Sequence, residues 1–159
     1  MRKSAEVFGL VGLVVLIWQT WAALWGPNRL PDRVPTHFDA AGTPNAWGSP
    51  TGMLLLPVIA LCVYLLVTVV AQFPQSFNYP VRVTPANIEQ LRSTTLNMLA
   101  WVKAEIGWLF AVLQWAFVRS ALTGNGIIFP KILPVFLVVI FGTMGWHLLT
   151  IIRAGQQRA

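Results

Sequence analysis

Charge is what this sequence has least of. Asp, Glu, Lys and Arg make up 10% of its 159 residues, where a soluble domain carries about 25%. So few charges cannot cover a water-facing surface, and a soluble globular domain is excluded. Cysteine is reduced to Cys62, set inside an apolar run, which rules out an intrachain disulfide and a cysteine metal site. The two histidines, His37 and His147, lie far apart in the chain. Phosphate-binding and dinucleotide glycine loops, a serine elbow and a paired-carboxylate site are all missing.

Apolar residues are abundant instead, at 56% of the chain. They gather into runs of the length a helix needs to cross a hydrocarbon core, about 20 residues. The expected fold class is therefore all-α, a four-helix bundle integral to the membrane. Helices are expected at about 7–25, 53–71, 85–118 and 132–152 within a single membrane domain, 1–159. Val7–Trp25 ends in Gly26-Pro27 without a small-x-small cleavage site, so it reads as a retained helix rather than a signal peptide. In the third helix the apolar run Ile106–Val118 is too short to span by itself. The helix must begin earlier, with Thr84-Pro85 as cap and first residue, and must carry Lys103 and Glu105 into or near the membrane. From Pro85 to Val118 it would run about 50 Å, so Asn87, Glu89, Gln90 and Arg92 should stand in water or at the interface.

The formal charge of +6 does not point to nucleic acid, because the basic residues stand singly at the ends of apolar runs. That is how topology-setting charges are placed. Arg2, Lys3, Arg82, Arg92, Arg153 and Arg158 fall on one side, against Arg29, Arg33, Arg119 and Lys131 on the other. The bias puts both termini in the cytoplasm and the segment 26–52 outside. That segment holds Pro27, Pro31, Pro35, Pro44 and Pro50. It reads as a long ordered loop, too stiff for a random linker and too broken for helix or strand. Loops of such length are commonly functional, and Phe38 and Trp47 argue against disorder.

The loop string Leu30-Pro31-Asp32-Arg33-Val34-Pro35-Thr36-His37-Phe38-Asp39-Ala40-Ala41-Gly42, continuing to Trp47-Gly48, resembles a widespread prokaryotic membrane family. This is domain-of-unknown-function family 1648, the module at the front of SdpI-type immunity proteins. Asn78-Tyr79-Pro80-Val81 and Thr84-Pro85-Ala86-Asn87 are similar to the stretch before that family's third helix. The resemblance implies a polytopic protein of the prokaryotic (bacterial) cytoplasmic, or inner, membrane. Two departures stand out: family members usually have an acidic residue where Asn45 stands and a lysine near Pro50. The further helices of a full-length SdpI protein are not in this sequence.

Candidate sites follow from residue chemistry. His37 and Asp39, with Asp32 nearby, are of the type that binds zinc, but a third ligand is lacking; hydrogen bonds that hold a proline-rich turn are the simpler account. Asp32, Arg33, His37, Asp39 and Trp47 remain the partner-binding candidates. Glu105 and His147 should lie at similar depth on antiparallel neighbours, with Lys103 and Glu6 close by. Ionisable groups within spans are usually paired, so an intramembrane polar cluster is expected, either a clamp between helices or an ion-responsive site. Of eight tryptophans, Trp18, Trp21 and Trp25 suit an interfacial belt. Trp101, Trp108 and Trp115 recur every seventh residue and form one stripe, either a packing seam or an interface.

No catalytic residue and no metal site is assigned, and the sequence implies no cofactor. The first functional reading is a small non-enzymatic membrane protein, SdpI-related, in toxin immunity or envelope signalling. The second is an accessory subunit of a larger membrane complex, respiratory or photosynthetic; the third, a membrane enzyme or transporter using His37 and Asp39. Expected partners are membrane lipids and other membrane subunits or further copies of the chain, not nucleic acid.

Overall fold

The computed structural model describes residues 2–27, 29–39, 41–124 and 129–156, with the side chains of residues 129 and 130 left aside. Arg158 of the charge count and Ala40 of the loop motif lie outside the described residues. The order of elements is α1 (Arg2–Trp25), β1 (Val34–Phe38), β2 (Pro44–Gly48), a 3-10 turn (Pro50–Leu54), α2 (Leu55–Val70), a second 3-10 turn (Pro74–Ser76), α3 (Ile88–Thr123) and α4 (Phe129–Gln156). Four helical segments, Arg2–Trp25, Pro50–Val70, Ile88–Thr123 and Lys131–Gln156, are long and apolar enough to cross a membrane. The chain is a multi-pass helical membrane protein, as the apolar runs require.

Helix α3 is the central post, against which α1, α2 and α4 all pack. Its buried face is built from small residues, Ala100, Ala104, Gly107, Ala111 and Ala116. Lipid is as apolar as leucine, so helices in a bilayer associate through close backbone approach rather than hydrophobic exclusion. The buried residues of α1 answer with Ala5, Gly9, Gly12, Leu13 and Leu16. A Cβ placed on Gly9 would lie 3.1 Å from Ala104 Cα, and one on Gly12 would lie 3.1 Å from Trp108 Cδ1. A side chain at either position would press on its neighbour. Apolar spans α2 and α4 are only 11% and 6% buried, against 33% for α1 and α3, so most of their surface is left to lipid or to a partner.

At the end of the bundle where α4 finishes, Leu91, Ile151 and Ala154 form a cluster covered by Tyr79 and Val81. There Asn87 is 1% exposed; its side chain accepts from the Thr84 amide at 2.8 Å and donates to the Arg82 carbonyl at 3.0 Å. Asn87 rather than Thr84 is the capping position of α3, which begins at Ile88 and not at Pro85. Residues 84–87 are held as a turn by the Thr84 carbonyl, which accepts from the Asn87 and Ile88 amides. The helix also runs past Val118 to Thr123, where Gly124 adopts φ +69° and returns its N–H to Ser120 O at 2.8 Å. A left-handed residue there is the usual glycine stop.

The outer segment corrects one expectation. It is not too broken for strand: β1 and β2 pair antiparallel, with Val34 opposite Gly48, Pro35 opposite Trp47, His37 opposite Ala46 and Phe38 opposite Pro44. A two-stranded ribbon leaves each strand one unpaired edge, so a proline missing its N–H removes no ladder bond when it faces outward. Pro50 opens the following 3-10 turn, where its N–H would be unpaired anyway.

Candidate functional site

The hairpin is anchored at its base and open at its tip. Leu30 and Val34 are buried with Ala23 and Met53, and Leu24, Phe117, Val118 and Ala121 pack around them. The Leu30 amide donates to Ala23 O at 2.8 Å, so the chain leaving α1 folds straight back onto it. At the tip, Asp39 Oδ1 accepts from the amides of Ala41 and Thr43, each at 2.9 Å. Gly42, at φ +83°, donates to Asp39 O, and Asp39 N donates to Thr43 O. Asp39 is thus occupied in turning the chain. His37 Nδ1 bonds to Asn45 Oδ1 across the ribbon. Asp32, Arg33, His37 and Trp47 are exposed, Trp47 to 53%. Among the described residues no three His, Cys, Asp or Glu side chains come together as a metal site would need.

Inside the bundle, the expected group of Glu105, His147 and Lys103 is divided in two. Residues two apart on a helix point to different faces, so Lys103 and Glu105 serve different neighbours. Lys103 is 4% exposed, with Nζ 2.7 Å from Glu6 Oε2 on α1. It also donates to Thr68 Oγ1 on α2 at 3.0 Å and lies 4.3 Å above the centre of the Tyr64 ring. Tyr64 Oη in turn donates to Glu6 Oε2 at 3.3 Å. One ammonium therefore ties α1, α2 and α3 together, and its hydrogen-bonding capacity is filled within the protein.

Glu105 faces α4. Its Oε1 accepts from Thr143 Oγ1 at 2.5 Å, and the His147 ring, through Nδ1, donates to Thr143 O at 2.9 Å. Glu105 and His147 do come to the same place, with Thr143 between them, lining an open groove of about 490 Å3 with Trp101, Gly142 and Trp146. Nearer the hairpin, Gln114 is fully buried and donates through Nε2 to Thr20 Oγ1 at 2.8 Å. Thr20 donates onward to Leu16 O at 2.8 Å.

The tryptophan stripe is also split. Trp108 donates from Nε1 to Phe8 O at 3.0 Å and stacks on the Phe8 ring at 5.2 Å, while Trp101 meets the same ring at 6.3 Å. Both belong to the α1–α3 seam. Trp115 stays 44% exposed, with the Arg119 guanidinium 5.6 Å from its ring centre. With Trp18, Gln19, Trp21 and Val118 it lines a groove of about 540 Å3.

The hydroxyl partners Thr20, Thr68 and Thr143, and Tyr64, were not legible as site residues. A threonine in an apolar run carries no sign of which neighbouring helix it meets. Lys103 and Glu105 could have been separated from their spacing alone.

A curated but uncharacterized protein of Archaeoglobus fulgidus is 36% identical over 61 residues, covering 33% of this chain and 33% of its own. The match thus spans about a third of that relative's length. No solved structure matches the chain. The family model described as a domain of unknown function, DUF1648, matches residues 12–61, which take in most of α1, the whole hairpin and the first turns of α2. Over that segment the chain is similar to the DUF1648 family.

Proposed function

We propose that this chain is a non-enzymatic protein of the prokaryotic cytoplasmic membrane whose hairpin recognises a partner at the outer face, in the manner of SdpI-related immunity or envelope-signalling proteins. The observation that carries this reading is the contrast within the family segment. The base of the hairpin is fixed to α1 and α3 through Leu30 and Val34, while Arg33, His37 and Trp47 stand in solvent. A rigid mount with an exposed aromatic and a cation has the composition of a binding hot spot. The two ionisable groups that chemistry would need are engaged elsewhere, Asp39 in the turn and His37 with Asn45.

The test is a photocrosslinking residue in place of Trp47, in the intact chain in its native membrane, compared with the same residue at Val138, which is exposed on α4. A discrete adduct from position 47, lost in an Arg33→Ala, His37→Ala background, supports recognition through the hairpin. No adduct from position 47 refutes it. The immunity form of the proposal further requires that deletion of the gene sensitise the cell to a secreted toxin.

A second reading, an accessory subunit, draws support from α4, where Val138 is 73% and Phe141 64% exposed. A discrete adduct from position 138, with none from position 47, would select it.

A further inference from the structure

The groove between α3 and α4 has features that neither packing nor the hairpin reading uses. Glu105 is 9% exposed, and its Oε2 is buried without a hydrogen-bond partner. Among the described residues no cation forms an ion pair with it: Lys103, two residues away, is held by Glu6, and the other ion pair joins Arg92 to Glu89. A buried carboxylate oxygen left without a partner is costly, and a donor brought by a ligand is one way to satisfy it.

The surroundings define that donor. Because Thr143 O can only accept, His147 Nδ1 donates in the hydrogen bond between them. The groove is lined by the Glu105 side chain and the His147 ring. Its walls include two indoles, Trp101 and Trp146. A carboxylate between aromatic faces suits an ammonium group, through charge, hydrogen bonding and cation–π attraction. On the α4 side, Gly142 has nothing within 4 Å of where its Cβ would stand, so the groove is open there. Its volume, about 490 Å3, is that of a small-molecule site.

Depth narrows the ligand further. Lys103 pairs with Glu6, one turn into α1, and Glu105 lies two residues or about 3 Å beyond it along the helix. Glu105 thus sits near the depth of the first turns of α1, a level an amphipathic molecule reaches with its head while its chain lies among the lipids.

We propose that Glu105, His147, Trp101 and Trp146 form a binding site for the ammonium group of an amphipathic amine, entered from the lipid side. The amine could be supplied by an aminophospholipid headgroup or by a free long-chain amine.

The test uses the full chain in maltoside micelles with radiolabelled dodecylamine, against dodecanol as a neutral probe of equal length. Saturable binding of one amine per chain is expected, at least tenfold tighter than the alcohol, with a tenfold or greater loss in Glu105→Gln. Trp146→Leu, at a position 68% exposed and so not needed for folding, should weaken binding several-fold. Equal binding of amine and alcohol, or unchanged amine binding in Glu105→Gln, would overturn the proposal. Native mass spectrometry separates the two sources. Phosphatidylethanolamine kept in preference to phosphatidylglycerol, and lost in Glu105→Gln, assigns the headgroup; dodecylamine binding without such retention assigns the free amine.

Discussion

The Lys103–Glu6 pair is asymmetric, and the asymmetry makes a prediction. Lys103 is 4% exposed while the Glu6 side chain is 32% exposed. Removing one member of a buried pair costs about 3–5 kcal/mol when the survivor stays buried and charged. In Glu6→Gln the survivor is Lys103, which keeps the Thr68 hydroxyl and the Tyr64 ring; those contacts reduce the expected cost to about 2–3 kcal/mol. In Lys103→Met the survivor is Glu6, which is about a third exposed near the start of α1 and retains the Tyr64 hydroxyl, and the methionine fills the space of the lysine stem. That variant should lose about 1 kcal/mol, the worth of an ordinary hydrogen bond. The double variant leaves no unpaired charge and should lie within about 0.5 kcal/mol of Lys103→Met, so the two substitutions are non-additive. Equilibrium unfolding in mixed maltoside and dodecyl sulfate micelles, followed by far-UV circular dichroism, gives all three values. Equal costs for the two single variants, or a Lys103→Met variant worse than Glu6→Gln, would show that the difference in burial does not govern the pair.

Three other outcomes are expected. Gly9→Val should force α1 off α3, because even its Cβ falls 3.1 Å from Ala104 Cα; a loss of about 1–3 kcal/mol is expected in the same unfolding assay. Asp39→Ala removes the carboxylate oxygen that accepts from two amides at the hairpin tip, so hydrogen exchange at the Ala41 and Thr43 amides should accelerate roughly fivefold or more for about 1 kcal/mol lost, with the helices unaffected. Cys62 is exposed on α2 in a span that is almost wholly apolar, so in intact membranes it should react with a lipid-soluble maleimide and resist a charged one.

The helices were legible because span length and apolar runs are local properties, and each observed helix contains most of its expected run. Their ends were less so. Asn87 rather than Thr84 is the capping position of α3, and its side chain turns back to Arg82 and Thr84, a contact with no sequence signature. The hairpin was hidden by its prolines, which are tolerated because a ribbon of two strands has two free edges. Glu105 and His147 were legible as neighbours from depth alone. Thr143, which joins them, and the orphaned Oε2 were not, since both depend on the rotation of α4 about its axis. Trp101 and Trp108 belong to one seam with Phe8, and only Trp115 remains at the surface, a division that regular spacing hides.

The placement of the charge clamp has a consequence for biosynthesis. Glu6 emerges with the first helix, but its partner Lys103 is made nearly a hundred residues later, after α2 and the connecting segment. At ordinary translation speeds that delay is roughly 5–20 s. During that interval α1 and α2 must enter the bilayer with Glu6 and Thr68 unmatched, and a ribosome stalled before α3 would leave a nascent chain that cannot close its own clamp. The arrival of α3 is therefore the commitment step of assembly, and the first two helices should stay open to surveillance by membrane proteases until it occurs.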